Sequence, residues 1–149
     1  MSRPLVIFDC DGVLVDSEPI SIRLLMDHCH MSGFDISEAQ AYHAFLGKPL
    51  ADAQKIAKRL FNQAIAPVNL AGFQVNVRQA FRTQLTAVKG VESALSSLEI
   101  DLCVASSSNV ARIRESLRIT QLNQYFNENL FSTDLAARGG DDRPIAIHL

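Results

Sequence analysis

The sequence has no run of lysines and arginines, no apolar stretch approaching the roughly 18 residues of a membrane span, no closely paired cysteines and no internal repeat. Each absence removes a class of function. Fourteen basic residues against sixteen acidic ones leave a formal net charge of -2, and without a basic cluster there is no electrostatic footprint for nucleic acid or for an anionic membrane surface. The apolar run nearest the N-terminus, "LVIF", is too short for a signal-peptide core. Cys10, Cys29 and Cys103 are widely separated and show no CxxC spacing, which predicts buried free thiols in a reducing, cytoplasmic setting. No low-complexity tract interrupts a composition that is 48% hydrophobic and 20% charged, which is ordinary for a globular chain and argues against disorder as its main character. Its 149 residues suit one domain, or a small core carrying an insertion.

The informative residues sit near the start. In "VIFDCDGVLVDSE" an apolar strand ends in Asp9 and Asp11, with Gly12 directly behind. Side chains at i and i+2 of an extended segment point to the same side, so the two carboxylates share one pocket if strand geometry persists to residue 11. Burial alone gives no reason for that pairing. The bland alternative is an Asx-type turn.

The rest of the chain falls into two patterns. "PLVIFD" reads as a buried strand of the parallel-sheet kind. From residue 17 to 86 the pattern is helical: one helix opening at "DSEP" with Asp16 or Ser17 as cap and stopping at Gly33, a short one over "SEAQAYHAF", a third through "LADAQKIAKRLFNQAI", and a fourth from about Asn69 to Leu85. His28 and His30 fall on different faces of the first helix and suit no shared ligand. From Val88 onward helices and strands alternate: "GVESALSSL" helix, "DLCVA" strand, "NVARIRESLRI" helix, then a turn into a strand at "YFNENLFST". The expected fold class is α/β, a Rossmann-like parallel-sheet core of residues 1–15 and 87–149 interrupted by a helical segment of residues 16–86.

Ligands of open α/β sheets bind beyond the carboxyl ends of the strands. There the first strand offers Asp9 and Asp11, and the second, "DLCVASSSN", offers Ser106, Ser107, Ser108 and Asn109. An aspartate is ionised at neutral pH, so Asp9 can act as a nucleophile without a base to activate it. An anionic substrate would be repelled unless a hard cation such as Mg2+ screened the charge and polarised a phosphoryl group. Asp11 is placed to give a proton to a leaving group and to take one from water. Gly12 permits the turn that brings the loop over a phosphate. Ser106 and the amides after it, at a helix N-terminus, suit a phosphoryl oxygen; a plain helix cap is the structural alternative for this stretch.

"FDCDGVLVDSE", the helical segment that follows it, and "VASSSN" resemble the haloacid dehalogenase-like phosphohydrolases, in particular those with a small helical cap such as sugar-phosphate phosphatases and β-phosphoglucomutase. The resemblance extends over nearly all of residues 4 to 133. It implies Asp9 as phospho-accepting nucleophile, Asp11 as general acid/base, and both as Mg2+ ligands, Asp11 through its carbonyl. It implies Ser106 as phosphoryl binder, with Gly12, Ser107, Asn109 and, from the helical cap, Lys48 as substrate-binding residues. The implied partner is a small phosphorylated metabolite, handled by hydrolysis or by mutase chemistry. The family also carries a lysine after the third strand and an acidic pair after a fourth. No lysine follows Lys89, and Arg143, before Pro144, is the cationic stand-in, although an arginine does not replace a point-charge lysine neutrally. Asp141 and Asp142 follow Gly139-Gly140 and are not assigned to the metal. On this reading the core is truncated at its C-terminus. It is then a weak enzyme, or a silent one that only binds, with the first strand an open edge prone to self-association.

Overall fold

The computed structural model describes residues 4–132. Arg143, Asp141 and Asp142 lie outside the described residues. The chain separates into two compact units, one holding the residues up to Asp16 and from Leu85 onward, the other Ser17–Gln84.

The first unit is of the α/β type. Its three strands, β1 (Leu5–Phe8), β2 (Asp101–Ser106) and β3 (Leu130–Ser132), form a parallel sheet in the order β1-β2-β3. The register pairs Phe8 with Val104 and Val104 with Leu130. β2 is central, and its apolar run Leu102-Cys103-Val104 is buried from both faces, as a parallel strand with covered faces requires. β1 reads as equally apolar, yet Leu5 is 51% exposed and Val6, Ile7 and Phe8 are only half-buried. The reason is position: among the described residues β1 has a neighbour on one side only.

Helices α5 (Val91–Ser96), α6 (Val110–Ile119) and α7 (Asn123–Phe126) belong to this unit. α6 turns its apolar stripe, Ile113 and Leu117, inward, and both are essentially unexposed. Phe126 on α7 is fully buried and meets Phe8 edge to face, with centroids 5.9 Å apart. α7 is a short helix in a stretch whose sequence suggests only a turn into the third strand.

The second unit is entirely helical: α1 (Glu18–Met31), α2 (Glu38–Phe45), α3 (Ala53–Phe61) and α4 (Leu70–Gln84), with a 3-10 turn at Leu50–Asp52. It has its own apolar core, built from Ile22, Leu25, Phe34, Ile36, Phe45 and Ile56 among others. α1 opens at Ser17, with proline in its first turn, where a missing N–H costs nothing. Ser17 itself makes no side-chain cap bond. α2 carries a complete capping box, Ser37 accepting from the Gln40 amide while the Gln40 side chain accepts from the Ser37 amide. α3 ends four residues earlier than its apolar periodicity suggests. Asn62 enters the left-handed region at φ 53° and closes the helix, and Ile65 is buried without being helical. His28 and His30 serve structure here, their Nε2 atoms bonding the carbonyls of Ala66 and Ile36.

The two crossings between units are tied to each other on the α/β side. The Asp16 amide donates to Thr86 O at 2.9 Å, the Val88 amide donates to Leu14 O at 3.0 Å, and Val15 bridges antiparallel to Ala87. The entry and exit of the helical insertion are thereby neighbours, which lets a 68-residue segment, Ser17–Gln84, interrupt the core while the chain on either side stays paired. Among the described residues no helix is long and apolar enough to cross a membrane.

Candidate active site

β1 stops at Phe8, so the extended geometry that would align Asp9 with Asp11 ends before either residue. A tight turn replaces it. The Cys10 carbonyl accepts from the amides of Val13, Leu14 and Val15, and the Gly12 amide donates to Val15 O at 2.9 Å. Gly12 stands at φ 75°, a conformation that a residue with a side chain adopts only under strain. Leu14 and Val15, both unexposed, anchor the turn in the core. The apolar half of "CDGVLV" thus holds the polar half at the sheet rim.

Asp9 is exposed and folds one carboxylate oxygen onto the next amide, Cys10 N, at 2.7 Å. Asp11 is engaged at both oxygens. Ser108 Oγ donates to Oδ2 at 2.8 Å, and Arg112 Nη2 donates to Oδ1 at 3.2 Å. The Asp11 and Arg112 side chains are 28% and 19% exposed, so this ion pair is partly withdrawn from water.

The partners come from the end of the neighbouring strand. Ser106, the last residue of β2, is buried, and its Oγ accepts from the Ser108 amide at 3.1 Å. That bond uses an acceptor lone pair and leaves the hydroxyl proton to donate elsewhere. Ser107 is exposed. Asn109 caps α6, its Oδ1 accepting from the Arg112 amide at 2.9 Å. The structure therefore brings Asp9, Asp11, Gly12, Ser106, Ser107 and Asn109 to one rim of one unit, and gives Asn109 a capping bond that occupies its side-chain oxygen. Lys48 lies in the helical unit, exposed, beside an open groove of about 840 Å³ lined also by Lys55, Lys58 and Arg59.

Cys10 sits inside the cluster. Its thiol is 1% exposed and is pushed up to about 12, first by burial and then by the negative charges of Asp11 and Asp9, with Arg112 opposing. Burial likewise raises Cys29 and Cys103. All three are free and buried, as their spacing predicts, and are poor nucleophiles.

The residue pattern does not single out Arg112, and Ser108 enters it only as one of the polar cluster at the end of the second strand. Arg112 nevertheless has a legible signature, a cation in the first turn of a helix, where the backbone dipole favours anions. Asp11 is an anion that pairs with it here.

Among the described residues no group of three or more His, Cys, Asp or Glu side chains is arranged for a metal. The Asp9 carboxylate, one oxygen of which accepts from the Cys10 amide, is a hard oxygen donor at the rim, the ligand type that Mg2+ prefers.

Comparison with known proteins agrees with this architecture. The family model described as haloacid dehalogenase-like hydrolase matches residues 6–147. A 6-phosphogluconate phosphatase from Escherichia coli (strain K12) is 27% identical over 150 residues, covering 99% of this chain and 68% of that protein. A conserved haloacid dehalogenase-like protein of unknown function from Agrobacterium tumefaciens superposes with a TM-score of 0.81 at 26% identity, over 94% of this chain and 62% of its own. A family hydrolase from Deinococcus radiodurans, solved with bound phosphate and sodium, shares the fold with a TM-score of 0.74 at 20% identity, over 91% of this chain and 59% of its own. The chain thus spans about two thirds of the length of these relatives. With a motif loop, a sheet and a family match that coincide over nearly all its residues, the chain belongs to the haloacid dehalogenase-like hydrolases.

Proposed function

We propose that this protein is a Mg2+-dependent phosphoric monoester hydrolase acting on a small phosphorylated metabolite, with the loop Asp9–Gly12 and the β2 terminus as its active site. The observation that carries the reading is the junction of two strand ends, in which Ser108 beyond β2 bonds the carboxylate of Asp11 beyond β1. In this reading Asp9 attacks the phosphorus, a phosphorus–oxygen bond forms to its carboxylate, and the ester oxygen leaves with a proton from Asp11. Water then attacks the aspartyl phosphate, gives its proton to Asp11 and releases inorganic phosphate. The Ser106 hydroxyl donates to a phosphoryl oxygen, and the exposed amide end of α6 adds its dipole. Mg2+ would be held by the Asp9 carboxylate and the Asp11 carbonyl, and would offset charge between nucleophile and substrate.

The domain assignment belongs to the same proposal. Residues 16–86 act as a cap that carries substrate choice, with Lys48 as a contact, and the family relationship to a 6-phosphogluconate phosphatase makes a phosphorylated sugar acid the first substrate to try. The test is turnover of a sugar-phosphate panel and a chromogenic phosphate ester, with and without Mg2+, for the parent and Asp9→Asn. Phosphate release that requires Mg2+ and vanishes in Asp9→Asn supports the reading, and an Asp9→Asn protein as fast as its parent refutes it.

A second reading is favoured by β1, which has a strand neighbour on one side only among the described residues and leaves Leu5 open to solvent. It is a chain that binds ligand and associates through that strand with little turnover of its own. Sedimentation alongside the activity panel separates the two, since self-association with phosphate binding and no release supports this one.

A further inference from the structure

The ion pair between Arg112 and Asp11 is the one feature of the rim that the motif residues do not account for. Arg112 occupies the third residue of α6, its amide is fixed by the Asn109 cap, and its guanidinium reaches back to the loop beyond β1. The cost of that placement is considerable in kind: a cation at a helix N-terminus opposes the helix dipole, and the pair is mostly shielded from water. The same helix end and the same hydroxyls make up the surface assigned above to a phosphoryl group.

We infer that Arg112 is a phosphate-binding cation of this site, and that in the unliganded protein Asp11 occupies it as a counter-ion that an incoming phosphoryl group displaces. Two observations and one general property of arginine meet in this assignment. Asp11 has both oxygens bound, by Arg112 and by Ser108, so in this arrangement neither oxygen faces a leaving group. Ser108 also contributes its amide to Ser106, which couples the held carboxylate to the proposed phosphoryl binder through a single residue. The planar guanidinium fork matches the geometry of phosphate. A dianionic group at the rim and the Asp11 carboxylate then compete for one cation. Transfer of Arg112 to the substrate frees Asp11 for proton transfer, so ligand binding and activation of the acid/base become one event.

The inference rests on the phosphatase reading and is tested without turnover. Inorganic phosphate is titrated calorimetrically into the full chain, its Arg112→Gln and Asp11→Asn variants, and the double variant. Arg112→Gln should weaken phosphate binding about tenfold or more, the scale of one charge-assisted hydrogen bond. Asp11→Asn should tighten it in the parent background, and most of that gain should disappear in the Arg112→Gln background. Phosphate affinity unchanged by Arg112→Gln, additive effects of the two substitutions, or no phosphate binding by the parent at millimolar concentration would each overturn the inference. If Arg112→Gln does not fold, Arg112→Lys serves in the same cycle, and a failure of Asp11→Asn to tighten phosphate overturns the inference there. Turnover lost in Asp9→Asn with phosphate affinity indifferent to Arg112 removes this inference and leaves the phosphatase reading intact. Arg112-dependent phosphate binding with turnover indifferent to Asp9→Asn does the reverse.

Discussion

The helical unit and the strand-end rim solve opposite problems with the same few residue types. In the helical unit polar side chains close local ends: Ser37 and Gln40 cap one helix reciprocally, and Lys58 bonds Asn62 one turn on. Its stability comes from a continuous apolar core. At the rim, polar side chains reach across about a hundred residues of sequence, from Asp11 to Ser108 and Arg112. An ion pair mostly shielded from water contributes little net stability and constrains geometry closely. The contrast is between a unit held by its apolar core and a rim held by polar bonds between residues distant in sequence.

The sharpest way to break that comparison is Asp11→Asn. It removes the proposed proton carrier, so turnover by an active parent should fall roughly 10²- to 10⁴-fold while circular dichroism stays native, and the melting temperature should drop because the shielded Arg112 loses a carboxylate partner. An unchanged turnover in a native-like Asp11→Asn protein would make Asp11 a structural residue only. Phe126→Ala should act on packing instead. The ring is fully buried beside Phe8, and its loss should cost about 3–5 kcal/mol of stability, visible in urea unfolding whether or not the protein turns over. A loss below 1 kcal/mol would show that the base of the sheet is not packed as described.

Alkaline pH probes the rim from inside. Cys10 ionises near 9.0 when unfolded and is raised to about 12 in the fold, so its contribution is fully present below pH 9 and is lost as pH climbs toward 12. The loss is on the order of 4 kcal/mol across that window, and Cys10→Ala should flatten this part of the stability profile. Equal alkaline slopes for parent and variant would contradict the buried placement of the thiol. Ser37→Ala, at a cap remote in sequence from the rim motifs, should cost only about 1 kcal/mol and leave phosphate affinity untouched. A changed affinity would argue against so local a role for that cap.

How far the sequence revealed this arrangement differs between the same two regions. The strand that leads to Asp9 and the one that ends in Ser106 were legible because apolar runs bounded by polar clusters carry a strong signal, and the helical stretch because its apolar spacing repeats. Helix ends were less legible. α3 stops where Asn62 can adopt the left-handed conformation, a choice that apolar periodicity through Ile65 conceals. α7 is a single turn, too short to repeat a pattern. The apolar character of "LVIF" by itself reads as buried, whereas the family resemblance leads to an open first-strand edge; β1 has a neighbour on one side only among the described residues. Arg112 was the residue passed over, because pairing across 101 positions leaves no trace in local spacing. Its trace was instead a charge of the wrong sign at a helix start.

The central claim is that Asp9 accepts a phosphoryl group, and covalent trapping addresses it directly. The protein is mixed with Mg2+ and the best substrate of the panel, or with acetyl phosphate as a small donor, quenched in acid, digested and read by mass spectrometry. The account predicts a hydroxylamine-labile phosphoryl group on the peptide containing Asp9, present in the parent and in Asp11→Asn and absent in Asp9→Asn. A phosphoryl group found on another residue, or a parent that releases phosphate with no trapped species while Asp9→Asn does the same, would contradict it.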